Sequence, residues 1–372
     1  MTKRVFLLMS LAILAVVWSH AAGWGQIAMF AWTDRYRPVT VPNFDQLGSL
    51  SYYVLLVIRQ LTVWAVPAFV FVSGFFVAYA ARGRQSVLSW KVIRVRIINL
   101  LVPYTIWSVM CFIGDALDGI TYTPLEYLER LVSGKADGPY FYVPFLCQFY
   151  LLAPLLVAIA KTRGRPLLLG AGLLQLGALS LRYRVLLGVE ISGLHLIAKV
   201  VTQSWLFFTW SFFFPFGIEC GLHVKQLKGW LTQHKWSILV ATIILGLLAI
   251  LEPEVVYRTT GREWRFVPLT ITTSLYAVAF VLCFLAFDKI STLLPTETIR
   301  HLGRRSYGIY LLHMRVISFV ARVIRQVAPW MLAHQVLLIM PVTLAVGLGI
   351  PLLFMAFVNR SPARRSYRYL FG

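Results

Sequence analysis

Acidic residues are scarce in this 372-residue chain: 14 Asp and Glu stand against 35 Lys and Arg, and only 13% of the residues are charged. In contrast, 59% are hydrophobic and the mean hydropathy is +0.74. A single soluble core could not bury that much apolar surface. The composition therefore excludes an ordinary soluble enzyme and predicts a polytopic membrane protein.

Cysteine is also scarce, and its positions indicate no cross-linking. All four cysteines lie inside apolar runs: Cys111, Cys147, Cys220 and Cys283. We therefore expect no disulfide framework and no metal site. The net charge of +21 does not predict nucleic-acid binding, because Lys and Arg of such a chain collect in cytoplasmic loops. No small-x-small cleavage site closes the first apolar run, so we expect the first helix to remain as an anchor.

Apolar runs of spanning length recur along the whole chain and predict an all-α protein with about ten transmembrane helices. We place them near 5–26, 49–81, 91–113 and 139–160, one ending near 181, one near 204–222, one ending near 251, and three near 266–287, 305–327 and 333–357. The second contains Arg59 and Pro67, which predict a kinked helix or an interfacial helix that feeds a span. The sequence shows no internal repeat, low-complexity linker or soluble extension, so we predict that residues 1–372 form one membrane domain.

The loops between these runs alternate in charge. With a cytoplasmic N-terminus, the basic loops and the basic tail from Arg360 to Arg368 lie inside. Most acidic residues lie outside, and several of them belong to a predicted acidic loop from Asp115 to Asp137. Both termini are then predicted to be cytoplasmic.

His20 closes the first apolar run and is the first candidate functional residue. At about 1.5 Å per residue from Arg4, it lies about 24 Å along a helix in a hydrocarbon core about 30 Å thick. An ionisable side chain at such a depth needs a partner or an aqueous cavity. The structural alternative is an interfacial His within an aromatic belt that includes Trp18 and Trp24.

Three further motifs offer candidate residues, each with a structural alternative. Ser73 and Gly74 lie in mid-span, where small residues allow close helix packing. The cluster of Lys91, Arg94, Arg96 and Asn99 fits a phosphate site, since Arg binds phosphate bidentately, but it would also anchor the span. The third motif, YFYVPFLCQFYLLAP, combines Tyr140 and Gln148 with aromatics that are typical of a membrane belt.

The motif LGRRSYGIYLLH carries the densest group of polar side chains in any span. Ser306 and Tyr310 share one helical face, as do Tyr310 and His313. Arg315 follows at mid-depth and needs an acid or a wet cavity, and Glu219 is one possible partner.

Together these motifs resemble the acyltransferase-3 membrane proteins, which O-acylate bacterial surface glycans, including exopolysaccharides. The resemblance covers most of spans one to four and nine. It depends on five pieces in the family's order: VVWSH ending at His20, VPAFVFVSGFF, Arg96 seven residues before Pro103-Tyr104, YFYVPFLCQFYLLAP and LGRRSYGIYLLH.

Two positions depart from the family pattern. The family often has an Arg early in the first helix, where this chain has Met9. It also tends to have a second Arg where Asn99 stands, although Arg94 and Lys91 could replace its charge.

The resemblance implies an enzyme of the bacterial inner membrane that transfers an acyl group, acetyl or alternatively succinyl, from cytosolic acyl-CoA to a hydroxyl of an extracytoplasmic polysaccharide or glycolipid. His20 would act as general base or as covalent acyl carrier. Lys91, Arg94, Arg96 and Asn99 would bind CoA, with no metal. The tunnel and acceptor side would take Ser73, Tyr140, Gln148, Ser306, Tyr310, His313 and Arg315, with Tyr310 and Gln148 as the better oxyanion donors.

Two other functions remain open from the sequence. A polysaccharide exporter would also have many spans and intramembrane charge, with Arg315 lining a path, but it would not need a phosphate site beside Pro103. A sensing or anchoring domain predicts that His20 can be replaced without consequence.

Overall fold

The fold is described from a computed structural model over residues 2–81, 89–189, 193, 195–261, 269–287 and 301–372. All regular elements in these ranges are helical. Seven helices are long and apolar enough to cross a membrane, and two shorter apolar helices accompany them. The predicted all-α membrane class is therefore confirmed, whereas the count of ten and the cytoplasmic termini stay predictions.

The first half of the chain forms six α-helices: α1 (Thr2–Phe30), α2 (Leu50–Thr62), α3 (Ala65–Ala80), α4 (Trp90–Leu117), α5 (Pro124–Ser133) and α6 (Tyr142–Leu187). The described residues of the second half form seven: α7 (His195–Val201), α8 (Phe213–Leu222), α9 (Val224–Thr260), α10 (Ile271–Ala286), α11 (Ser306–Val327), α12 (Met340–Arg360) and the short α13 (Tyr367–Phe371). The start of the span predicted near 266 lies outside the described residues.

Helix α1 occupies the centre of the fold. It is apolar on all sides, which is typical of a helix surrounded by other helices. It packs against α2, α3, α11 and α12, and it buries residues on every face along its length. His20 therefore belongs to a helix that other helices largely enclose.

The segment predicted to kink between 49 and 81 forms two helices joined by Val63 and Trp64, whose backbones stay in the right-handed helical region. Helix α2 ends at Thr62, whose hydroxyl donates to the Ile58 carbonyl at 2.7 Å, and α3 begins at Ala65. Pro67 then lies in the first turn of α3, where its missing N–H leaves no bond unmade.

Helices α3 and α8 pack with their backbones in contact. A Cβ atom on Gly74 would lie 2.2 Å from the Phe214 carbonyl oxygen, and one on Gly217 would lie 2.1 Å from the Phe71 carbonyl oxygen. Only glycine fits at such distances, so the packing role considered for Gly74 is confirmed.

The spans predicted at 139–160 and up to 181 are two arms of one bent helix, α6. The bend occurs at Arg163, whose φ of −139° and ψ of 50° are non-helical, and Pro166 follows. Because α6 is one of the seven helices counted above, this bend is one reason why seven and ten differ.

The predicted acidic loop between Asp115 and Asp137 contains the helix α5. Thr123 caps it, and the Glu126 carboxylate accepts from the Thr123 backbone N–H at 2.7 Å, which completes a capping box. Its first position is proline, as is common at helix starts.

Candidate functional site

A cavity of about 860 Å³ lies among α1, α2, α3, α4, α6 and α11. Its wall is mostly apolar and carries polar side chains from several elements: Ser19, His20, Arg59, Gln60, Ser73, Lys135, Asp137, Tyr142, Gln203, Ser204, Ser306, Tyr307 and Tyr310. An apolar cavity with a few convergent polar groups is the usual form of a small-molecule site.

The cavity extends along most of α1. Met9 lines it near one end of that helix, and Ile27 lines it near the other end. At 1.5 Å per residue, these two residues are about 27 Å apart along the helix axis. The cavity therefore covers much of the thickness of a hydrocarbon core.

His20 projects into this cavity from α1, where it is partly exposed. Its ring centroid lies 5.2 Å from that of His313 on α11. His313 is fully buried, and its Nδ1 lies 2.8 Å from the Tyr310 carbonyl oxygen. Donation from Nδ1 assigns the acceptor role to Nε2, which has no hydrogen-bond partner within the described ranges. His313 thus lies behind His20 as a second imidazole.

The tyrosines predicted at the site connect α11 to the turn at 138–141. The Tyr310 hydroxyl donates to the Pro139 carbonyl, and the Tyr140 hydroxyl donates to the Leu311 carbonyl at 2.6 Å. Tyr310 and its helical neighbour Ser306 line the cavity, whereas Tyr140 is fully buried beside it. The hydroxyl hydrogen of each tyrosine is therefore already bonded to a backbone carbonyl.

Gln148 lies outside the cavity wall and supports the segment that forms part of it. Its Nε2 donates to the Trp205 carbonyl at 2.8 Å, and its Oε1 accepts from the Phe207 N–H at 3.3 Å. Trp205 lines the cavity. Ser73 also lines it, with its hydroxyl donating to the Phe69 carbonyl at 2.9 Å.

The first half of α4 carries the residues predicted to bind CoA, which are Lys91, Arg94, Arg96 and Asn99. Lys91 and Arg94 are exposed. The Arg96 guanidinium lies 5.7 Å from the ring centroid of Tyr150, which lines the cavity. Asn99 precedes the cavity residue Leu100. Arg96 and Asn99 therefore lie beside one end of the cavity, which we call the basic mouth, whereas Lys91 and Arg94 lie nearer the start of α4.

The C-terminal segment adds a cation that the sequence analysis missed. Arg368 donates to the Asn99 Oδ1 at 2.9 Å. The segment is held there because the Trp107 indole donates to the Leu370 carbonyl at 2.8 Å and Phe371 is buried. The basic tail was the available signal, but it contains no pattern that selects Arg368.

Arg315 does not pair with Glu219, so that prediction is wrong. Its guanidinium lies 3.0 Å from Asp115 and 3.5 Å from Asp137, and it donates to the Ala136 carbonyl at 2.8 Å. Glu219 instead lies 3.1 Å from the His223 ring. Arg315 joins α11 to α4 and to the loop before α6, outside the cavity wall. Burial raises the pKa of the Asp137 carboxyl to about 6.

Arg59 is a further cavity residue whose role the sequence analysis missed. It lines the wall from α2 and donates to the buried Gln26 Oε1 on α1. Trp24 lines the same wall, and its buried Nε1 has no partner among the residues that the structure describes. The sequence signal was the one used for Arg315, a charged residue inside an apolar run.

Comparisons with known proteins identify the family of the chain. The sequence model of the acyltransferase-3 family, described as an acyltransferase domain, matches residues 7–355, so the chain belongs to that family. It is a multi-pass membrane protein of the acyltransferase class.

One curated relative is YfiQ of Bacillus subtilis (strain 168), named as a candidate membrane-bound acyltransferase. The two chains are 22% identical over 329 residues, which cover 86% of this chain and 82% of YfiQ. No solved structure matches the chain significantly.

Proposed function

We propose that the protein transfers an acyl group, acetyl or succinyl, from cytosolic acyl-CoA to a hydroxyl of an extracytoplasmic polysaccharide or glycolipid. The observation that carries the proposal is the single cavity that reaches from a basic mouth to the loop before α6, with His20 in its wall. Such a passage could bring a donor from one face of the membrane to an acceptor on the other.

The basic mouth supports a phosphate-bearing donor. Arg96 stands beside the cavity residue Tyr150, and Arg368 is fixed on Asn99. CoA is an anion with three phosphate groups, and guanidinium forks bind phosphate oxygens bidentately. With the nucleotide held there, the pantetheine arm would extend into the apolar cavity and bring the thioester toward His20.

Two routes of acyl transfer are compatible with His20. As general base, its neutral imidazole takes the proton of the acceptor hydroxyl as the hydroxyl oxygen attacks the thioester carbonyl carbon. The C–S bond then breaks, and the departing thiolate takes that proton. As nucleophile, the unprotonated ring nitrogen bonds to the carbonyl carbon, and the C–S bond breaks with the thiolate as leaving group. The acceptor hydroxyl oxygen then attacks the same carbon, the C–N bond to the imidazole breaks, and the hydroxyl proton ends on the thiolate.

The opposite end of the cavity supports a sugar acceptor. Trp205 and Phe141 offer aromatic faces, and Gln203, Lys135 and Asp137 offer polar groups. Aromatic faces pack against the apolar faces of sugar rings, while polar side chains bind the hydroxyl groups. This end would open to the extracytoplasmic side of a bacterial inner membrane, with both termini in the cytoplasm.

The test is CoA release from acetyl-CoA and succinyl-CoA by purified protein with an acceptor glycan. His20→Ala should lower kcat by about 10² to 10⁴. Arg96→Ala should raise the donor KM and weaken CoA binding measured directly. His234→Ala and Lys225→Ala replace exposed residues of α9 outside the cavity and serve as matched controls.

The contrary result is equally definite. If the wild-type protein neither binds CoA nor turns it over with any glycan, while reconstituted vesicles move glycan, the protein is an exporter. If transfer occurs and His20→Ala leaves kcat unchanged, the assignment of His20 is wrong.

A further inference from the structure

The buried ring of His313 has a polar atom that the proposed reaction does not yet use. Its Nδ1 lies 3.1 Å from the Ile309 carbonyl oxygen and 2.8 Å from the Tyr310 carbonyl oxygen. A carbonyl oxygen can only accept, so Nδ1 carries the proton and Nε2 of the neutral ring is an acceptor. Buried acceptors normally have a donor, yet Nε2 has none among the described residues. A donor from a neighbouring helix is therefore expected.

Helices α1 and α11 hold His20 and His313 at the same depth. A Cβ atom on Gly303, just before α11, would lie 2.3 Å from the Ser10 Oγ on α1. Both histidines follow this contact by the same number of residues, and their ring centroids are 5.2 Å apart. An imidazole nitrogen lies about 1.1 Å from the ring centre, so two nitrogens that face each other across this distance are about 3 Å apart. That is the length of a hydrogen bond.

The other polar groups near His313 are less well placed to donate to its Nε2. The hydroxyls of Tyr310 and Tyr140 already donate to backbone carbonyls. The Trp24 Nε1–H is buried without an acceptor in the described part of the chain, but Trp24 lies a full helical turn beyond His20 on α1. His20 needs only a rotation about its last side-chain torsion, which is a soft one.

We propose that His313 is a positioning residue, whose Nε2 accepts a hydrogen bond from a ring N–H of His20. The proposal rests on the proposed acyl transfer and deepens it. A neutral imidazole has one N–H and one lone pair, so donation to His313 leaves the lone pair of His20 for the cavity that His20 lines. His313 thus takes the place that a carboxylate has behind the histidine of a Ser-His-Asp site, and the Tyr310 carbonyl orients His313 in turn.

This arrangement serves both routes of acyl transfer. In the general-base route, the lone pair of His20 takes the hydroxyl proton as the hydroxyl oxygen bonds to the thioester carbon. The N–H of the imidazolium then makes a charge-assisted bond to His313, which is stronger than the bond in the ground state and so lowers the barrier. The proton passes to the thiolate when the C–S bond breaks. In the acyl-carrier route, the same lone pair bonds to the thioester carbon, and His313 keeps the acylated ring in place until the acceptor oxygen displaces it.

The test replaces His313 by side chains that keep or remove the acceptor. His313→Gln offers an amide oxygen, whereas His313→Phe keeps a ring without an acceptor. With acetyl-CoA and succinyl-CoA, His313→Phe should lower kcat by about 10- to 100-fold and change the KM for acyl-CoA by less than about threefold, because a displacement of about 1 Å at a reacting group can cost about 100-fold. His313→Gln should recover most of kcat.

The matched control is His234→Phe. The Nδ1 of His234 also contacts a carbonyl one turn back, 3.0 Å from the Trp230 oxygen, but this histidine is exposed on α9. The change should leave kcat and both KM values unaltered. If His313 only fills space, the order of the two variants is reversed: His313→Phe keeps kcat, and His313→Gln loses it together with thermal stability. That result overturns the proposal.

A spectroscopic measurement separates orientation from packing. Nitrogen NMR of the full-length protein labelled at histidine shows which ring nitrogen of each imidazole carries the proton, and His20→Ala identifies the signals of His20. We expect one fixed tautomer of His20 in the wild type and in His313→Gln, and an average of two tautomers in His313→Phe. A wild-type His20 that already exchanges between tautomers overturns the proposal, whether or not the variants of His313 fold.

The positioning role and the proposed function fail in different ways. A His313→Phe protein with kcat within about threefold of wild type, beside an inactive His20→Ala protein, refutes the positioning role and leaves acyl transfer intact. A wild-type protein that neither binds nor turns over acyl-CoA with any acceptor glycan refutes the proposed function, and the role of His313 in it falls as well.

Discussion

The buried carboxyl of Asp137 should make the stability of the protein depend on pH between about 4 and 6. Asp137 directly precedes the spanning segment that begins at Gly138, and its side chain is only 11% exposed. Arg315, 3.5 Å away, favours the charged form, but burial outweighs it and raises the pKa from 3.8 to about 6. The perturbation that isolates this group is Asp137→Asn, which keeps the shape and removes the titration.

The sign and size follow from the two pKa values. Between pH 4 and 6 the folded state holds the proton that the unfolded state has lost, so raising the pH favours unfolding. The stabilisation is complete below about pH 4 and is lost as the pH rises through about 6. A shift from 3.8 to about 6 corresponds to about 3 kcal/mol.

The measurement is reversible unfolding in mixed micelles at pH 4 to 7.5. The free energy of unfolding of wild type minus that of Asp137→Asn should fall by about 2 to 3 kcal/mol across this range. Asp118→Asn is the control, because that carboxylate is 47% exposed beside Arg322. A difference that stays flat, or that rises with pH, would refute the assignment of a buried, protonated Asp137.

Three other predictions concern packing, loop support and the donor mouth. Gly74→Ala should destabilise the protein by more than about 3 kcal/mol in thermal melts, because its Cβ would overlap the Phe214 carbonyl. Gly114→Ala is the control, because its Cβ meets no atom and the change should be neutral or stabilising. Gln148→Leu should lower the melting temperature and raise the acceptor KM, since two loop bonds are lost. Arg368→Ala should raise the KM for acyl-CoA several-fold at constant kcat. Arg364→Ala, which replaces an exposed arginine of the same tail, should leave that KM unchanged. If the two variants have equal KM values for acyl-CoA, Arg368 has no role in donor binding.

The helical class and the choice of His20 as a candidate followed from rules that act locally. A bilayer needs about 20 apolar residues per span, and any ionisable residue inside such a run stands out. The same rules could have identified α5, since Thr123 and Glu126 have capping-box spacing with proline between them. The acidic composition of that stretch led instead to the prediction of a loop.

The partners of the polar side chains could not be predicted in this way. Arg315 needs an acid, but hydropathy does not specify which helices are neighbours, and its partners Asp115 and Asp137 come from different segments. Likewise, a tyrosine such as Tyr310 can be recognised as a donor, yet its acceptor, the Pro139 carbonyl, belongs to an irregular turn. Side-chain type is local information, whereas the direction of a hydrogen bond depends on the tertiary fold.

The glycine contact between α3 and α8 also bears on how the protein can admit its substrates. No layer of side chains separates the two backbones at Gly74 and Gly217, so these helices should move as one rigid body. Helix α4 buries few residues, but two contacts hold it to α11: the bond from Tyr307 to the Leu100 carbonyl at 2.6 Å and the ion pair of Arg315 with Asp115 at 3.0 Å. The α3 side of the cavity should therefore keep its shape when substrates of different size bind, so that any widening has to come from the other helices.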